Sequence, residues 1–197
     1  MFSVTCITLF PELYTTFFKT SIIKKAIDDK QLINAHIVDV LSLSEPKKRI
    51  DSPIIGGGSG MLLGVETIEK AYNTALLNHT KKPYTIFFSP HGKKLDQVLA
   101  KKIYQDVMHN HDGNVITFAG RYEGCDARAE EEYADIILSV GDYVCMGGDV
   151  PALITLEVLL RFLPGVVGKQ ESVENDSFES SLLDAPHFAN PDSWHEK

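Results

Sequence analysis

Three runs of apolar and β-branched residues along the chain each end in a loop that contains glycine. The runs cover residues 84–88, 114–119 and 135–138, and the loops that follow them cover residues 89–92, 120–124 and 139–151. Each run is apolar throughout rather than alternating with polar residues, which is typical of parallel strands buried on both faces. The pattern therefore predicts neighbouring parallel strands in an α/β protein.

The rest of the pattern supplies further strands and the helices between them. Strands are predicted at residues 2–9 and 33–43, and a long polar, glycine-rich loop at residues 44–63. Helices are predicted from Pro11 onward and over residues 21–29, 67–78, 95–108, 128–133 and 152–163. Because helices separate the strands, the carboxyl ends of the strands share one edge of a sheet, where ligands of α/β proteins bind. Glycine there lets main chain approach a ligand closely, so a small-molecule pocket lined by main chain is predicted.

Size and composition are those of a soluble protein with one large domain, or with one domain and an extension. The chain has 197 residues, of which 44% are hydrophobic and 23% charged. Residues 1–10 are apolar but have no basic lead-in, so they predict a buried strand rather than a signal peptide, and no run is long enough to span a membrane. Cys6, Cys125 and Cys145 form no Cys-x-x-Cys pair. They indicate free thiols in a reducing, cytoplasmic compartment, without a disulfide framework or zinc site.

The net charge of −8 is unevenly distributed. Residues 120–197 carry 16 acidic and 5 basic side chains, whereas residues 1–119 carry 11 acidic and 14 basic ones. Overall charge therefore does not indicate a nucleic-acid partner, and any such partner should meet the N-terminal part of the chain. Local positive charge there comes from Lys19, Lys24, Lys25, Lys47, Lys48, Arg49, Lys93 and Lys94. Each of these is more simply explained as a solvated surface charge.

The glycine run at residues 56–60 has two interpretations. It is followed by Met61 rather than by the Gly-Lys-Ser/Thr ending of a P-loop, so it is either a flexible loop or a cradle for an anion or substrate. No Gly-x-Gly-x-x-Gly follows the first strand, which disfavours the ordinary dinucleotide-binding fold.

Several polar residues near strand ends are also open to two interpretations. Arg121 and Glu123 stand in a strand-end loop, where they are either functional residues or a structural ion pair. His91 is more simply a loop residue than a general acid or ligand. Asp142 and Asp149 suggest a metal, but no compact loop of oxygen ligands accompanies them.

A series of short motifs follows a fixed order from one end of the chain to the other. They are Phe-Pro-Glu at 10–12, Gly-Gly-Gly-Ser-Gly-Met at 56–61, Ser-Pro-His-Gly-Lys-Lys-Leu-Asp-Gln at 89–97, Gly-Arg-Tyr-Glu-Gly at 120–124, Gly-Asp-Tyr-Val at 141–144, Gly-Gly at 147–148 with Pro-Ala at 151–152, Arg-Phe-Leu-Pro-Gly-Val at 161–166 and Asp-Ser-Phe at 176–178. Together they resemble the bacterial tRNA (guanine-N1)-methyltransferases of the TrmD family, which belong to the SPOUT class. The chain departs from that family at Ser59, where proline is usual, at His91, where glutamine is expected, and at Cys145, where leucine is usual.

The resemblance implies an α/β fold of the SPOUT type, a mostly parallel sheet with a deep C-terminal trefoil knot. It implies a homodimer with active sites at the interface, and S-adenosylmethionine as the methyl donor. The donor-binding residues that it implies are Pro90, Gly92, Gly120, Tyr122, Gly124, Val140, Gly141, Asp142, Tyr143, Val144, Cys145, Gly147, Gly148 and Pro151. It assigns residues 1–168 to the knotted domain and residues 169–197 to a flexible linker, where a helical domain that grips the tRNA anticodon stem-loop is expected to begin.

The reaction that the resemblance implies is methylation of N1 of the tRNA guanine immediately 3′ of the anticodon. N1 carries a proton at neutral pH, so its attack on the methyl group requires a general base, worth about 10²–10⁴ in rate. The resemblance gives Asp176 this role, and it gives Arg161 the stabilisation of negative charge on the guanine O6. Glu123 is implied to hold the base or the donor. The family also suggests a role for Mg²⁺, for which no metal ligands are assigned here.

Two other functions stay open at this point. The first is a dimeric S-adenosylmethionine-binding module that does not methylate RNA, because the helical C-terminal domain is expected to be missing from the chain. The second is a nucleotide-binding α/β protein that uses residues 56–60 as a phosphate cradle.

Overall fold

A five-stranded parallel sheet organises the chain in a computed structural model that describes residues 1–45, 48–168 and 189–190. The strands are β1 (Phe2–Thr8), β2 (Ile33–Asp39), β3 (Asp51–Pro53), β4 (Met61–Leu63), β5 (Tyr84–Lys94), β6 (Asn114–Phe118) and β7 (Ile136–Ser139). The sheet has the order β2-β1-β6-β5-β7 with parallel neighbours throughout, and β3 and β4 form a separate antiparallel hairpin. The three apolar runs of the sequence are β5, β6 and β7, and they lie side by side as predicted.

Six helices cover the sheet within the described part of the chain. They are α1 (Pro11–Phe18), α2 (Ser21–Asp28), α3 (Val65–Leu76), α4 (Gln97–Asn110), α5 (Ala127–Tyr133) and α6 (Asp149–Phe162). All were predicted, although some ends differ by a few residues. The start of α4 is fixed by Asp96, whose Oδ1 accepts a hydrogen bond from the Leu99 amide at 2.8 Å. None of these helices is long and apolar enough to cross a lipid bilayer.

The predicted strand at residues 33–43 is too long. The strand β2 ends at Asp39, and a turn of 3₁₀ helix follows at Leu41–Leu43. The Asp39 Oδ1 accepts a hydrogen bond from the Leu41 amide at 2.9 Å. Aspartate commonly initiates turns in this way, so a local polar contact ends the strand although the hydrophobic pattern continues.

The predicted irregular loop at residues 44–63 contains the hairpin of β3 and β4. The strand β4 gains a second partner beyond β3, because the Leu63 amide donates to the Gly124 carbonyl at 3.0 Å and the Leu63 carbonyl accepts from the Asp126 amide at 3.2 Å. These partners lie some 60 residues further along the chain, so local sequence carries little signal for the strand. The hairpin therefore holds the glycine run beside the loop that follows β6.

The core has one part on each face of the sheet. Successive strand residues point to opposite faces, so Phe2 and Val4 pack with residues of α1, α2, α4 and α6, whereas Ile7 packs with residues of α3 and α5. Both faces of the central strands are thus covered. This explains why β6 and residues 84–88 of β5 show no alternation of apolar and polar positions.

An irregularity in β5 shapes the edge of the sheet next to β7. Phe88 and Lys93 both pair with Leu138, so residues 89–92 bulge out of the strand. Gly92 passes so close to β7 that an added Cβ would lie 2.7 Å from the main-chain carbons of Ile137 and Leu138. Residues 89–92 were predicted as a loop after the strand, but the strand resumes beyond them because glycine allows this contact.

A half-buried histidine lies next to the sheet in a neutral hydrogen-bond network. The His79 Nδ1 lies 2.9 Å from the Asn114 Oδ1, which can only accept, and the His79 Nε2 lies 2.9 Å from the Thr5 hydroxyl. Burial lowers the pKa of His79 from its usual value of 6.5, and nearby His36 lowers it further, whereas the hydrogen bond with Asn114 opposes the shift. The folded protein therefore favours neutral His79.

This histidine should make the fold sensitive to mild acid. Because the pKa of His79 is lower in the folded than in the unfolded chain, its contribution is complete above pH 6.5 and declines as pH falls toward the folded pKa. We expect the free energy of unfolding of the wild type to fall between pH 7 and pH 5 relative to that of His79→Gln, which does not titrate. Urea unfolding at several pH values measures this difference, and parallel pH profiles for the two proteins would contradict it.

Candidate functional site

A cavity of about 220 Å³ opens at the carboxyl edge of β5, β6 and β7. It is formed by the bulge in β5, the loop after β6 and the segment that connects β7 to α6. Many of the predicted donor residues line it, namely Pro90, Gly120, Tyr122, Gly124, Val140, Tyr143, Val144, Cys145, Gly147, Gly148 and Pro151. The three glycine-bearing loops therefore converge on one space, as the sequence pattern predicts.

Three of the predicted donor residues do not line the cavity. Gly92 contacts the main chain of β7. Gly141 is buried beneath the ring of Tyr143, and an added Cβ would lie 2.3 Å from the Tyr143 Cε1. Asp142 is exposed, and its Oδ2 accepts from the Lys94 Nζ at 2.7 Å. These residues shape the loops around the cavity.

The loop after β6 and the loop before α6 make close main-chain contact. The Gly148 amide donates to the Gly120 carbonyl at 2.8 Å. A Cβ added to Gly148 would lie 2.8 Å from the Gly120 nitrogen and 3.0 Å from the Cα of Ala119, so a side chain does not fit without a shift of main chain. Glycine at this position is therefore required by the contact that closes one side of the cavity.

Six further residues that line the cavity were not among the predicted donor-binding or catalytic residues, although Arg121 was considered as a functional residue. They are Phe88, Ser89, Arg121, Glu130, Leu138 and Ser139. Among them, Glu130 lies in the first turn of α5 and is 9% exposed, and its Oε2 lies 3.5 Å from the His91 Nε2. Burial raises the pKa of Glu130, while His91 opposes that shift. Glu130 is the first of three consecutive glutamates in α5, and the sequence does not show which of them faces the cavity.

The arginine of the loop after β6 pairs with a distant aspartate rather than with Glu123. The Arg121 Nε lies 3.3 Å from the Asp149 Oδ2, and the Arg121 Nη1 donates to the Met146 carbonyl at 2.9 Å. Its guanidinium carbon also lies 4.2 Å from the centre of the Phe10 ring. In the described structure Arg121 therefore contacts Phe10, Met146 and Asp149 instead of forming the predicted alternative, a local ion pair with Glu123.

Neither aspartate that suggested a metal belongs to a metal cluster. Asp142 is on the surface, while Asp149 is 3% exposed and accepts from the Thr8 hydroxyl at 2.5 Å and the Tyr14 hydroxyl at 3.3 Å. Burial raises the pKa of Asp149, against the effects of Thr8, Arg121 and Tyr14. No group of three or more histidine, cysteine, aspartate or glutamate side chains in the described residues could hold a metal ion.

The glycine run lies at the tip of the hairpin of β3 and β4. Gly56, Gly57, Gly58 and Gly60 all have φ between 90° and 128°, a region that other residues rarely adopt. A Cβ added to Gly60 would lie 2.3 Å from the Glu123 Cγ, so the tip approaches the rim of the cavity. The run connects two antiparallel strands, whereas a P-loop connects a strand to a helix.

The predicted catalytic residues lie in different parts of the chain. Glu123 lines the cavity and is exposed. Arg161 is in the last turn of α6, and it is exposed and not part of the cavity lining. Asp176 lies outside the described residues. The structure therefore places Glu123 at the cavity, whereas the position of Asp176, the predicted general base, is not described.

The cysteines agree with the prediction of free thiols. Cys6, Cys125 and Cys145 are all unpaired with one another. Burial raises the pKa of Cys6 to about 12, which keeps its thiol protonated at neutral pH. Cys145, in contrast, lines the cavity.

Comparison with known proteins gives a consistent result over the whole chain. A family model described as tRNA (Guanine-1)-methyltransferase TrmD matches residues 2–197. A tRNA (guanine-N(1)-)-methyltransferase of Mycoplasmopsis pulmonis is 42% identical over 193 residues, which are 97% of this chain and 79% of the relative. An enzyme of the same name from Nitratiruptor sp. is 37% identical over 190 residues, covering 96% of this chain and 80% of the relative.

A solved structure supports the same relationship. The tRNA (m1G37) methyltransferase of Aquifex aeolicus superposes with a TM-score of 0.79 at 27% identity, covering 99% of this chain and 78% of that protein. The matches in sequence and in fold thus extend over almost all of the chain, including the loops that form the cavity. The chain belongs to the tRNA (guanine-1)-methyltransferase TrmD family.

Proposed function

We propose that this protein transfers a methyl group from S-adenosylmethionine to N1 of the tRNA guanine immediately 3′ of the anticodon. The observation that carries the proposal is the cavity of about 220 Å³ in a chain of this family, with glycine at four of the positions that line it: Gly120, Gly124, Gly147 and Gly148. Such a lining offers N–H and C=O groups at fixed positions for the hydrogen-bonding edges of an adenine base and the hydroxyls of a ribose.

The charges and the geometry of the cavity fit this donor. S-adenosylmethionine supplies a methyl group on a positively charged sulfonium and also carries an ammonium group. Glu123 and Glu130 both line the cavity, and their carboxyl groups can attract these positive charges when ionised. Tyr122 adopts a φ of 61°, an uncommon conformation outside glycine that is more frequent at ligand sites than elsewhere.

The catalytic steps that we assign to the chain involve three side chains. Asp176 accepts the N1 proton of the guanine, Arg161 stabilises the negative charge that develops on O6, and Glu123 holds the base or the donor. Arg161 lies in the last turn of α6, whereas Asp176 follows that helix in the chain, and in this proposal tRNA binding brings Asp176 to the base before the reaction. The proposal also includes a role for Mg²⁺, but no side chain is assigned as its ligand.

We propose that the segment from β7 to α6 forms a trefoil knot with the preceding chain. The support is its tight passage against the end of β6, where Gly148 meets Ala119 and Gly120 without room for a Cβ. In this proposal residues 1–168 are the knotted donor-binding domain of a cytoplasmic enzyme. Residues 169–197 are a linker that carries Asp176 toward the anticodon stem-loop.

We also propose a homodimer with the active sites at its interface. The support is a group of exposed apolar side chains on and before α6: Tyr143, Val144, Met146, Val150 and Ile154, which are 57%, 82%, 93%, 55% and 40% exposed. Exposed large apolar side chains grouped on one segment are typical of contacts between subunits.

Light scattering should give twice the 21.9 kDa mass of one chain. Ile154→Glu together with Val150→Glu should shift the protein toward monomer, because charges do not tolerate burial in an apolar interface. Leu77→Glu is the control, since Leu77 is 85% exposed in the turn that follows α3. A wild-type monomer at micromolar concentration would contradict the dimer.

Donor binding should stabilise the folded protein in a way that depends on Gly148. A ligand at 100 times its Kd stabilises by about 2.7 kcal/mol, so saturating S-adenosylhomocysteine should raise the melting temperature by several degrees. Gly148→Ala should lose most of this shift, because a Cβ would displace the main chain of Gly120. Gly168→Ala is the matched control, since a Cβ there meets nothing within 4 Å. A shift of equal size with Gly148→Ala would contradict the site.

Methyl transfer itself is tested with unmodified tRNA transcripts in single-turnover assays. We expect transfer to a transcript that has guanine 3′ of the anticodon and none when adenine replaces it. Asp176→Asn should lower the rate at least tenfold without changing the Kd for S-adenosylhomocysteine, because a general base acts only in the transition state. Asp192→Asn is the control in the same part of the chain. A rate for Asp176→Asn near that of the wild type would require another base.

A further inference from the structure

Arg121 joins the two loops that face each other across the cavity. It belongs to the loop after β6, and its Nη1 donates to the Met146 carbonyl in the segment before α6 at 2.9 Å. A Cβ added to Gly147 would lie 2.4 Å from the Arg121 Cδ and 2.7 Å from its Nη1. The stem of Arg121 therefore lies directly against the main chain of that segment.

The guanidinium is held from two further sides. The Phe10 ring, just after β1, lies under its central carbon at 4.2 Å. The Asp149 Oδ2 lies 3.3 Å from the Arg121 Nε, close enough for strong attraction although neither atom makes a hydrogen bond in the described structure. The ring and the carboxylate together fix where the guanidinium can lie.

Asp149 is itself fixed in place. Its Oδ1 accepts from the Thr8 hydroxyl at the end of β1 and from the Tyr14 hydroxyl on α1. Its side chain is almost fully buried, and an ionised carboxylate in such a place requires a compensating charge. Arg121 is the cation beside it. The position of Arg121 is therefore tied to the first strand and the first helix of the protein.

The segment that Arg121 contacts has little burial of its own. Asp142, Tyr143, Val144 and Met146 are all exposed, and none of residues 141–146 belongs to a strand or helix. Little apolar surface holds these residues in place. The hydrogen bond to the Met146 carbonyl therefore acts together with the Lys94–Asp142 ion pair and the Gly148–Gly120 hydrogen bond in fixing their conformation. This segment also supplies one wall of the cavity.

We propose that Arg121 is a positioning residue for the methyl donor. Held by Asp149 and Phe10, it keeps residues 141–148 in the conformation that lines the cavity, and Asp149 acts through it. The inference rests on the proposed donor site but adds a role that the reaction does not require of Arg121. Loss of this contact should therefore weaken donor binding, whereas the rate of the chemical step at saturating donor should stay the same.

Isothermal titration with S-adenosylhomocysteine tests the inference on the full chain. Arg121→Met keeps the stem and removes the charge, and Asp149→Asn removes the opposite charge. Each should raise the Kd at least about tenfold, as expected for loss of a hydrogen-bonded charge. Arg128→Met is the matched control, because Arg128 pairs with Asp126 on the protein surface. It should bind within twofold of the wild type.

Steady-state kinetics separates positioning from a merely structural role. We expect the KM for S-adenosylmethionine to rise at least about tenfold in Arg121→Met, with the KM for tRNA and kcat within threefold of the wild type. General destabilisation would instead lower the active fraction, and hence kcat, at an unchanged KM. That pattern would overturn the inference.

A milder variant covers the case in which the charge changes prevent folding. Phe10→Leu keeps an apolar contact and removes the aromatic face, so it should raise the Kd about threefold to tenfold. If Arg121→Met and Asp149→Asn fold, an unchanged Kd for either of them would overturn the inference. If they do not fold, an unchanged Kd for Phe10→Leu would overturn it. Failure of the wild type to bind would instead overturn the proposed function.

Discussion

The close approach of Gly148 to the end of β6 is the constraint on which the cavity depends. A hydrogen bond of 2.8 Å joins the Gly148 amide to the Gly120 carbonyl, and no Cβ fits between the two segments. Without this contact the segment before α6 could not line the same space as the loop after β6. The bulge in β5 completes the enclosure, because Gly92 allows the strand to return to β7 after Pro90 has left the sheet.

The charges around the cavity follow from this geometry. Arg121 lines the cavity but faces Asp149, so much of its charge is balanced inside the protein. Glu123 and Glu130 are the carboxylates that line the same space. Under the proposed function the cavity favours a cationic sulfonium over the neutral thioether that remains after transfer. The same electrostatics would then assist binding of the donor and release of its product.

The sequence predicted those parts of the structure that depend on local pattern. The strands β5, β6 and β7 were recognisable because burial on both faces removes alternation, and the glycines of the cavity loops because they follow these strands. The strands β3 and β4 were missed because each has only three residues and because β4 has further partners near Gly124 that are distant in sequence. The sequence did not identify the ion-pair partner of Arg121 for a similar reason. Glu123 is near Arg121 in sequence, whereas Asp149 is near it only in the folded chain. Glu130 was missed because the pattern of a short helix does not show which polar side chain faces a cavity.

The hydrogen bond between Thr8 and Asp149 joins residues that are 141 positions apart. Closing a loop of this length costs entropy that the contact and its surroundings must offset. The first strand must therefore be in place before the last loop of the cavity can adopt its final shape. A newly made chain cannot capture the donor with its C-terminal part still disordered. Under the proposed function, donor binding therefore requires that β1 and α6 are already packed against each other.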